Sequence, residues 1–211
     1  GKGLYNLSRQ TLNDKSVVNR LYLFGGTKNI PPNYRNFSQR LTIQGGYIQD
    51  NASISAFGII EGVKTYEDIF PKRKGTVTFV GGQLVFADET MNFDIKDSLI
   101  EGMTAKVSFV SGGLSGYTFD VKKYDAALKA YTLMPFQDER GLELPSATLP
   151  GFGIDVGNEY ILENILLPSS YITEAETKLL SEGQIFLDQN KAPRVQYSLT
   201  FDEYYFKDLY S

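Results

Sequence analysis

Short β-rich runs closed by glycine doublets constrain this chain more than any other feature. The runs are "VVNRLYLF" (17–24), "GTVTFV" (75–80), "AKVSFV" (105–110), "GYTFDVKKYD" (116–125), "KAYTLMPF" (129–136) and "NEYILENILL" (158–167). All are rich in Val, Ile, Tyr, Phe or Thr, the residues that fit a pleated, half-buried surface. Glycine doublets at 25–26, 45–46, 81–82 and 112–113 punctuate them, as turns with positive φ require. The fourth and fifth runs are spaced to pair as a hairpin. Many short strands with glycine turns imply a barrel or a sandwich.

Near the C-terminus the period changes. In "SSYITEAETKLLSEGQIFLDQN" (169–190) Ile172, Ala175, Leu179, Gly183 and Phe186 recur at helical spacing. Thr173 and Glu176 fit a capping box, with Ser169 and Ser170 as rival N-caps. Gly183 costs about 1 kcal/mol relative to Ala inside a helix, so tight packing is expected there, with a strand backbone as the neighbour. "RVQYSLTF" (194–201) then alternates at period two and reads as a half-buried strand, free to pair with "VVNRLYLF". A shorter helix is expected at "TYEDIF" (65–70), stopped by Pro71.

Composition removes several chemistries. The chain has no His and no Cys, which excludes a Ser-His-Asp triad, an HExxH zinc site, thiolate metal sites and disulfides. Any catalysis would rest on carboxylates, Lys, Tyr or a hard metal held by oxygen. The net charge of −4 gives no general footprint for nucleic acid, and the longest basic run, Lys72-Arg73-Lys74, is too short to reverse this. No run of about 18 apolar residues is present to span a membrane. A hydrophobic share of 42% is enough for a packed core. The chain opens Gly1-Lys2-Gly3 without Met, so it reads as a piece of a longer protein, with Gly1 read as a remnant of its preparation.

Three groups of residues deserve weighing as sites. Gly25-Gly26-Thr27-Lys28 ends a strand run but is followed by Asn29-Ile30-Pro31-Pro32, an extended segment rather than the helix that a phosphate loop needs. It reads as a structural turn. The carboxylate pairs Glu67-Asp68, Asp88-Glu89, Asp138-Glu139 and Asp202-Glu203 are adjacent in sequence, so on a strand they point to opposite faces. None forms the facing pair, roughly 5 to 10 Å apart, that a glycosidase uses. They read as solvated loop charges. "DERGLE" (138–143) lacks the calcium-loop spacing. The densest aromatic run, "FDEYYFKDLY" (201–210), suits sugar stacking or protein contact, but core packing is the plainer reading.

Several segments together resemble phage and prophage tail-tip proteins, the baseplate-hub or tail-associated proteins that carry antireceptor or endopeptidase regions. They are "VVNRLYLF" with "GGTKNIPPNYR" (17–35), "YIQDNASISAFGIIEGVKTYEDIFP" (47–71) with its pair Phe57-Gly58, and "YITEAETKLLSEGQIFLDQNKAPRVQYSLTF" (171–201). The resemblance covers about half the chain. It implies a mainly β fold with one long helix, α+β, in which residues 1–71 and 168–211 form a discontinuous hub-type domain interrupted by a small β-barrel at 72–167. It implies a structural role in the virion tail after synthesis in the bacterial cytoplasm. Partners would be other tail-tip proteins, with a trimeric ring in the full-length protein, and neither nucleic acid nor membrane. No catalytic, cofactor-binding or metal-binding residue is expected, and no enzyme. The alternatives are a module that binds host surface glycans through tyrosines, with the inserted barrel as reader, and, more weakly, a carboxylate-dependent glycosidase.

Overall fold

A computed structural model describes residues 4–12 and 17–201; of 4–12 and 194–201 it gives the course of the strands alone. The fold is α+β, mainly β with one long helix. In chain order the strands are Leu4–Leu12 (β1), Arg20–Gly25 (β2), Thr42–Gln49 (β3), Glu61–Tyr66 (β4), Lys74–Thr76 (β5), Phe79–Gly82 (β6), Val85–Ala87 (β7), Lys106–Phe109 (β8), Thr118–Asp125 (β9), Ala130–Leu133 (β10), Phe136–Gln137 (β11), Glu143–Leu144 (β12), Glu159–Glu163 (β13) and Arg194–Phe201 (β14). The helices are Asn51–Phe57 (α1) and Ser169–Asn190 (α2), with a 3-10 turn at Ile95–Ser98.

Contacts among the described residues divide the chain into two units. One draws on 1–23, 43–64 and 180–211, the other on 24–42 and 65–179. The sequence reading divides the chain at 71 and 168; the contact units change at 23, 42, 64 and 179, inside β2, β3, β4 and α2.

The second unit is built on a seven-stranded antiparallel sheet in the order β5-β13-β8-β9-β10-β7-β6. Its first and last strands are consecutive in the chain, separated by Val77 and Thr78. The Val77 N–H donates to the Asn158 carbonyl and the Gly157 N–H to the Val77 carbonyl, while the Thr78 N–H donates to the Ala87 carbonyl. Successive residues of an extended chain bond to opposite sides. One bent stretch therefore borders β13 and β7 together, and the sheet curls. Period-two alternation then fills the inside. Val107 and Phe109 on β8, Tyr131 and Leu133 on β10, and Tyr160 and Leu162 on β13 are buried, while Lys106, Ser108, Ala130, Thr132, Glu159 and Ile161 between them are half-exposed. The rings interlock across strands: Phe86 stacks on Tyr131 at 4.8 Å and meets Tyr160 edge-on at 5.1 Å, geometries favoured by the ring quadrupole. The expected hairpin forms as β9 and β10.

In the first unit β2 is the centre of the three-stranded sheet β3-β2-β4. Leu21 and Leu23 are fully buried on one face and alternate with Arg20 and Tyr22 on the other. Both edges of β2 are thus occupied. β14 pairs instead with β1, from Leu12 opposite Arg194 to Leu4 opposite Phe201. The expected pairing of "VVNRLYLF" with "RVQYSLTF" does not form. Asn19 makes the joint before β2: its Nδ2 donates to the Gly58 carbonyl at 2.7 Å, and its Oδ1 accepts the Ile60 N–H at 2.7 Å. α1, which the sequence reading left out, starts where Asp50 accepts the Ser53 N–H at 2.8 Å.

Two local expectations fail for identifiable reasons. "TYEDIF" is not a helix, because Thr65 and Tyr66 complete β4. A turn follows, in which the Ile69 N–H donates to the Tyr66 carbonyl and the Ile69 carbonyl is taken by the Gly26 N–H. The capping box is absent because α2 already begins at Ser169. Thr173 lies inside it, donating its hydroxyl to the Ser169 carbonyl, and Glu176 faces Arg35 instead.

Gly183 is buried as expected, but its neighbour is a side chain. A Cβ there would meet the Leu23 side chain, 2.7 Å from Cδ2 and 3.0 Å from Cγ. Leu23 is fully buried on the central strand. Gly183→Ala should therefore destabilise by about 1 kcal/mol, overpacking of roughly 1–3 kcal/mol exceeding the helix gain. Leu23→Ala in the same chain should cost less in that variant than in the wild type. A thermal melt in which Gly183→Ala is stabilising would show that the contact is slack.

Candidate functional site

The glycine turn holds no anion cradle. The Gly25 N–H donates to the Leu41 carbonyl at 2.7 Å and the Gly26 N–H to the Ile69 carbonyl at 2.8 Å, so both amides are taken by backbone. A Cβ on Gly25 would meet the Ile69 carbonyl oxygen at 2.5 Å, and one on Gly26 the Glu67 carbonyl oxygen at 2.5 Å. The glycines are required by these close approaches. Lys28 binds Glu163 at 2.7 Å. Asn29 is buried and bonds three backbone groups: its Nδ2 donates to the Pro71 and Leu162 carbonyls, and its Oδ1 accepts the Ile165 N–H.

The carboxylate pairs do not share one fate. Asp88, expected to be solvated, is fully buried inside the curled sheet. Arg73 Nη1 donates to its Oδ2 at 2.9 Å, the Tyr160 hydroxyl donates to the same oxygen at 2.8 Å, and the Thr90 N–H donates to its Oδ1 at 2.9 Å. Arg73 Nη2 reaches Thr90 Oγ1 at 2.8 Å. Burial alone would push the Asp88 carboxyl up; the hydrogen bonds from Thr90, Arg73 and Tyr160 outweigh it and hold it below the ordinary value of 3.8. Burial pushes the Tyr160 and Tyr131 hydroxyls up, so both stay protonated. Of the other pairs, Glu67 binds Arg40 at 2.9 Å. Asp138 accepts the Arg140 and Leu142 N–H groups, closing the β11–β12 turn. Asp202-Glu203, and the aromatic run beyond Phe201, lie outside the described residues.

The outward face of the three-stranded sheet carries a partly exposed pair of tyrosine rings. Tyr22 and Tyr47 lie 5.5 Å apart with rings tilted by 57°, and the Arg20 guanidinium sits 5.0 Å from the Tyr47 ring. Arg20 Nε donates to Gln49 Oε1 at 3.0 Å and the Tyr22 hydroxyl to Glu61 Oε1 at 3.0 Å. The bond to Glu61, followed by burial, raises the Tyr22 pKa and keeps the phenol neutral. This face offers rings and paired polar groups for sugar stacking or protein contact, and no activated nucleophile. The sequence reading missed it because Gly45-Gly46 looked like a turn between elements. Both glycines instead sit within β3 at φ +79° and +77°, and Tyr47 and Gln49 continue the strand beyond them.

Among the described residues no group of three or more acidic side chains is placed to hold a metal ion, and no helix is long and apolar enough to cross a membrane.

The Asp88 cluster makes a pH-dependent prediction. Because its folded pKa lies below the ordinary value, its contribution is complete above pH 3.8 and lost as pH falls through the folded value. Asp88→Asn leaves Arg73 buried without its counter-charge and should cost about 3–5 kcal/mol at pH 7. In urea unfolding the gap between wild type and variant should narrow below pH 3.8. A gap equal at pH 3 and pH 7 would contradict the assignment. No family model, no curated protein and no solved structure matches this chain.

Proposed function

We propose that the chain is a structural component of a phage or prophage tail tip or baseplate hub, and part of a larger protein. One observation carries the reading: in the segments that bear the resemblance, the polar and glycine residues serve as backbone joints. Asn19 bonds Gly58 and Ile60, Asn29 bonds Pro71, Leu162 and Ile165, and Gly183 admits Leu23. Polar residues committed in this way suit a part of an assembly. A glycosidase acid needs a raised carboxyl pKa, whereas those of Asp88 and Glu176 are lowered. Other tail-tip proteins are the partners in this reading, the full-length protein forms a trimeric ring, and the site of action is the virion tail.

The tilted Tyr22–Tyr47 pair favours glycan recognition as the second reading. It moves the reader from the inserted barrel to the three-stranded sheet, because Tyr124, Tyr131 and Tyr160 of the curled sheet are buried.

Immunogold labelling of particles induced from the source bacterium, with antibodies against this chain, tests the first reading. Gold should mark the tail end distal to the capsid. Particles without label, together with glycan-array binding that Tyr47→Ala abolishes, would replace it with the second.

A further inference from the structure

A gap beside the core of the curled sheet opens to solvent. Its volume is about 380 Å³, and all its lining residues come from 95–124. Ile95, Ala105 and Tyr124 at its floor belong to the hydrophobic core, and Val121 packs against that core. Leu99 and Met103 stand in its wall at 47% and 53% exposure. Apolar side chains around an unfilled hole stay wetted at a cost that an apolar occupant removes. Openings of roughly 300–1,000 Å³ with such a lining take small molecules.

Charge selects the kind of molecule. Lys96, Lys122 and Lys123 line the opening, all exposed and without an ion pair among the described residues. No carboxylate lines it. Asp94 and Asp125, which flank it in the chain, are turned to backbone: Asp94 accepts the Lys96 N–H at 2.9 Å and Asp125 the Ala127 N–H at 3.1 Å. Asp97 and Glu101 lie outside the lining. Three like charges about one opening repel one another, and an anion among them relieves the repulsion.

Two of these lysines are placed by an irregularity in strand pairing. Val121 stands opposite Leu133 and Lys123 opposite Thr132, so Lys122 is the extra residue of a β-bulge in β9. Consecutive residues of a regular strand point to opposite faces. At the bulge both lysines are exposed and both line the opening, and bulges re-aim side chains in this way beside binding sites. β9 lies between β8 and β10, so its lysines do not guard a free sheet edge. Tyr124 adds a donor. It is 4% exposed, burial raises its pKa so that the hydroxyl keeps its proton, and that hydroxyl has no hydrogen-bond partner among the described residues.

We propose that this pocket binds a small amphipathic acid, with its apolar body against Ile95, Ala105 and Val121 and its acid group among Lys96, Lys122 and Lys123. The inference is independent of the tail-tip reading.

Octanoate is the probe, and the methionines supply the readout. Of the three in the chain, Met103 alone lines the pocket. In a chain labelled with methyl-13C methionine, octanoate should shift the Met103 signal saturably, with a Kd below about 1 mM, and leave Met91 and Met134 in place. Octanol and octylammonium, which share the chain but not the negative charge, should bind at least tenfold more weakly. Replacing Lys96, Lys122 and Lys123 together by Gln should raise the octanoate Kd at least tenfold with an unchanged melting temperature, and added salt should weaken the wild-type complex. No saturable Met103 shift up to about 5 mM octanoate, octanol bound as tightly as octanoate, or a triple variant as tight as wild type would each overturn the proposal. Phosphatidylglycerol vesicles that shift Met103 where octanoate does not would also overturn it, assigning the pocket to a membrane surface.

Discussion

The ion pair between Arg73 and Asp88 is the interaction on which the curled sheet depends. Arg73 stands just before β5, Asp88 just after β7, and Tyr160, which shares the Asp88 oxygen, lies on β13. These strands border the bent stretch from β5 to β6 on its two sides. The pair therefore fastens the place where the sheet turns back on itself. The approach is so close that a Cβ on Gly75 would lie 2.6 Å from Asp88 Oδ2. A charge pair with 5% and 0% side-chain exposure is costly to desolvate. Hydrogen bonds from Thr90 and Tyr160 satisfy the carboxylate beyond its bond to Arg73, which is the condition under which such a pair is tolerated.

The same economy recurs in both units. Asn19 and Asn29 act as substitute backbone, each satisfying peptide groups that no strand partner reaches. Glu163 is buried between Lys28 and Ser108. Glu176 serves the left-handed turn at 35–37. Several polar side chains are thus committed to architecture, while Tyr47 and Phe37 remain exposed.

Legibility in the sequence followed the range of the determining interaction. α2 and β14 begin and end at the residues their periods indicate, 169–190 and 194–201, because a helix face and an alternating strand are local patterns. β8, β9, β10 and β13 were legible for the same reason, whereas "GTVTFV" (75–80), read as one run, is divided between β5 and β6, and β7 was not read at all. β3 was hidden by the left-handed Gly45-Gly46 pair, and α1 by its seven-residue length. The partner of β14 was misassigned because strand pairing is non-local: β2 offered a matching pattern but had both edges filled. Arg73 and Asp88 carried no signal at all. Each sits beside a like-charged neighbour, Lys72 or Glu89, and their meeting depends on the curl of a sheet.

A double-mutant cycle on that pair measures the central claim most directly. Arg73→Met and Asp88→Leu are made singly and together, and unfolding free energies are read from urea melts at pH 7. If the pair fastens the sheet, each single change costs about 3–5 kcal/mol and the double change costs less than the sum by at least 2 kcal/mol. Additive losses, or single losses under about 1 kcal/mol, would show that the sheet closes without it.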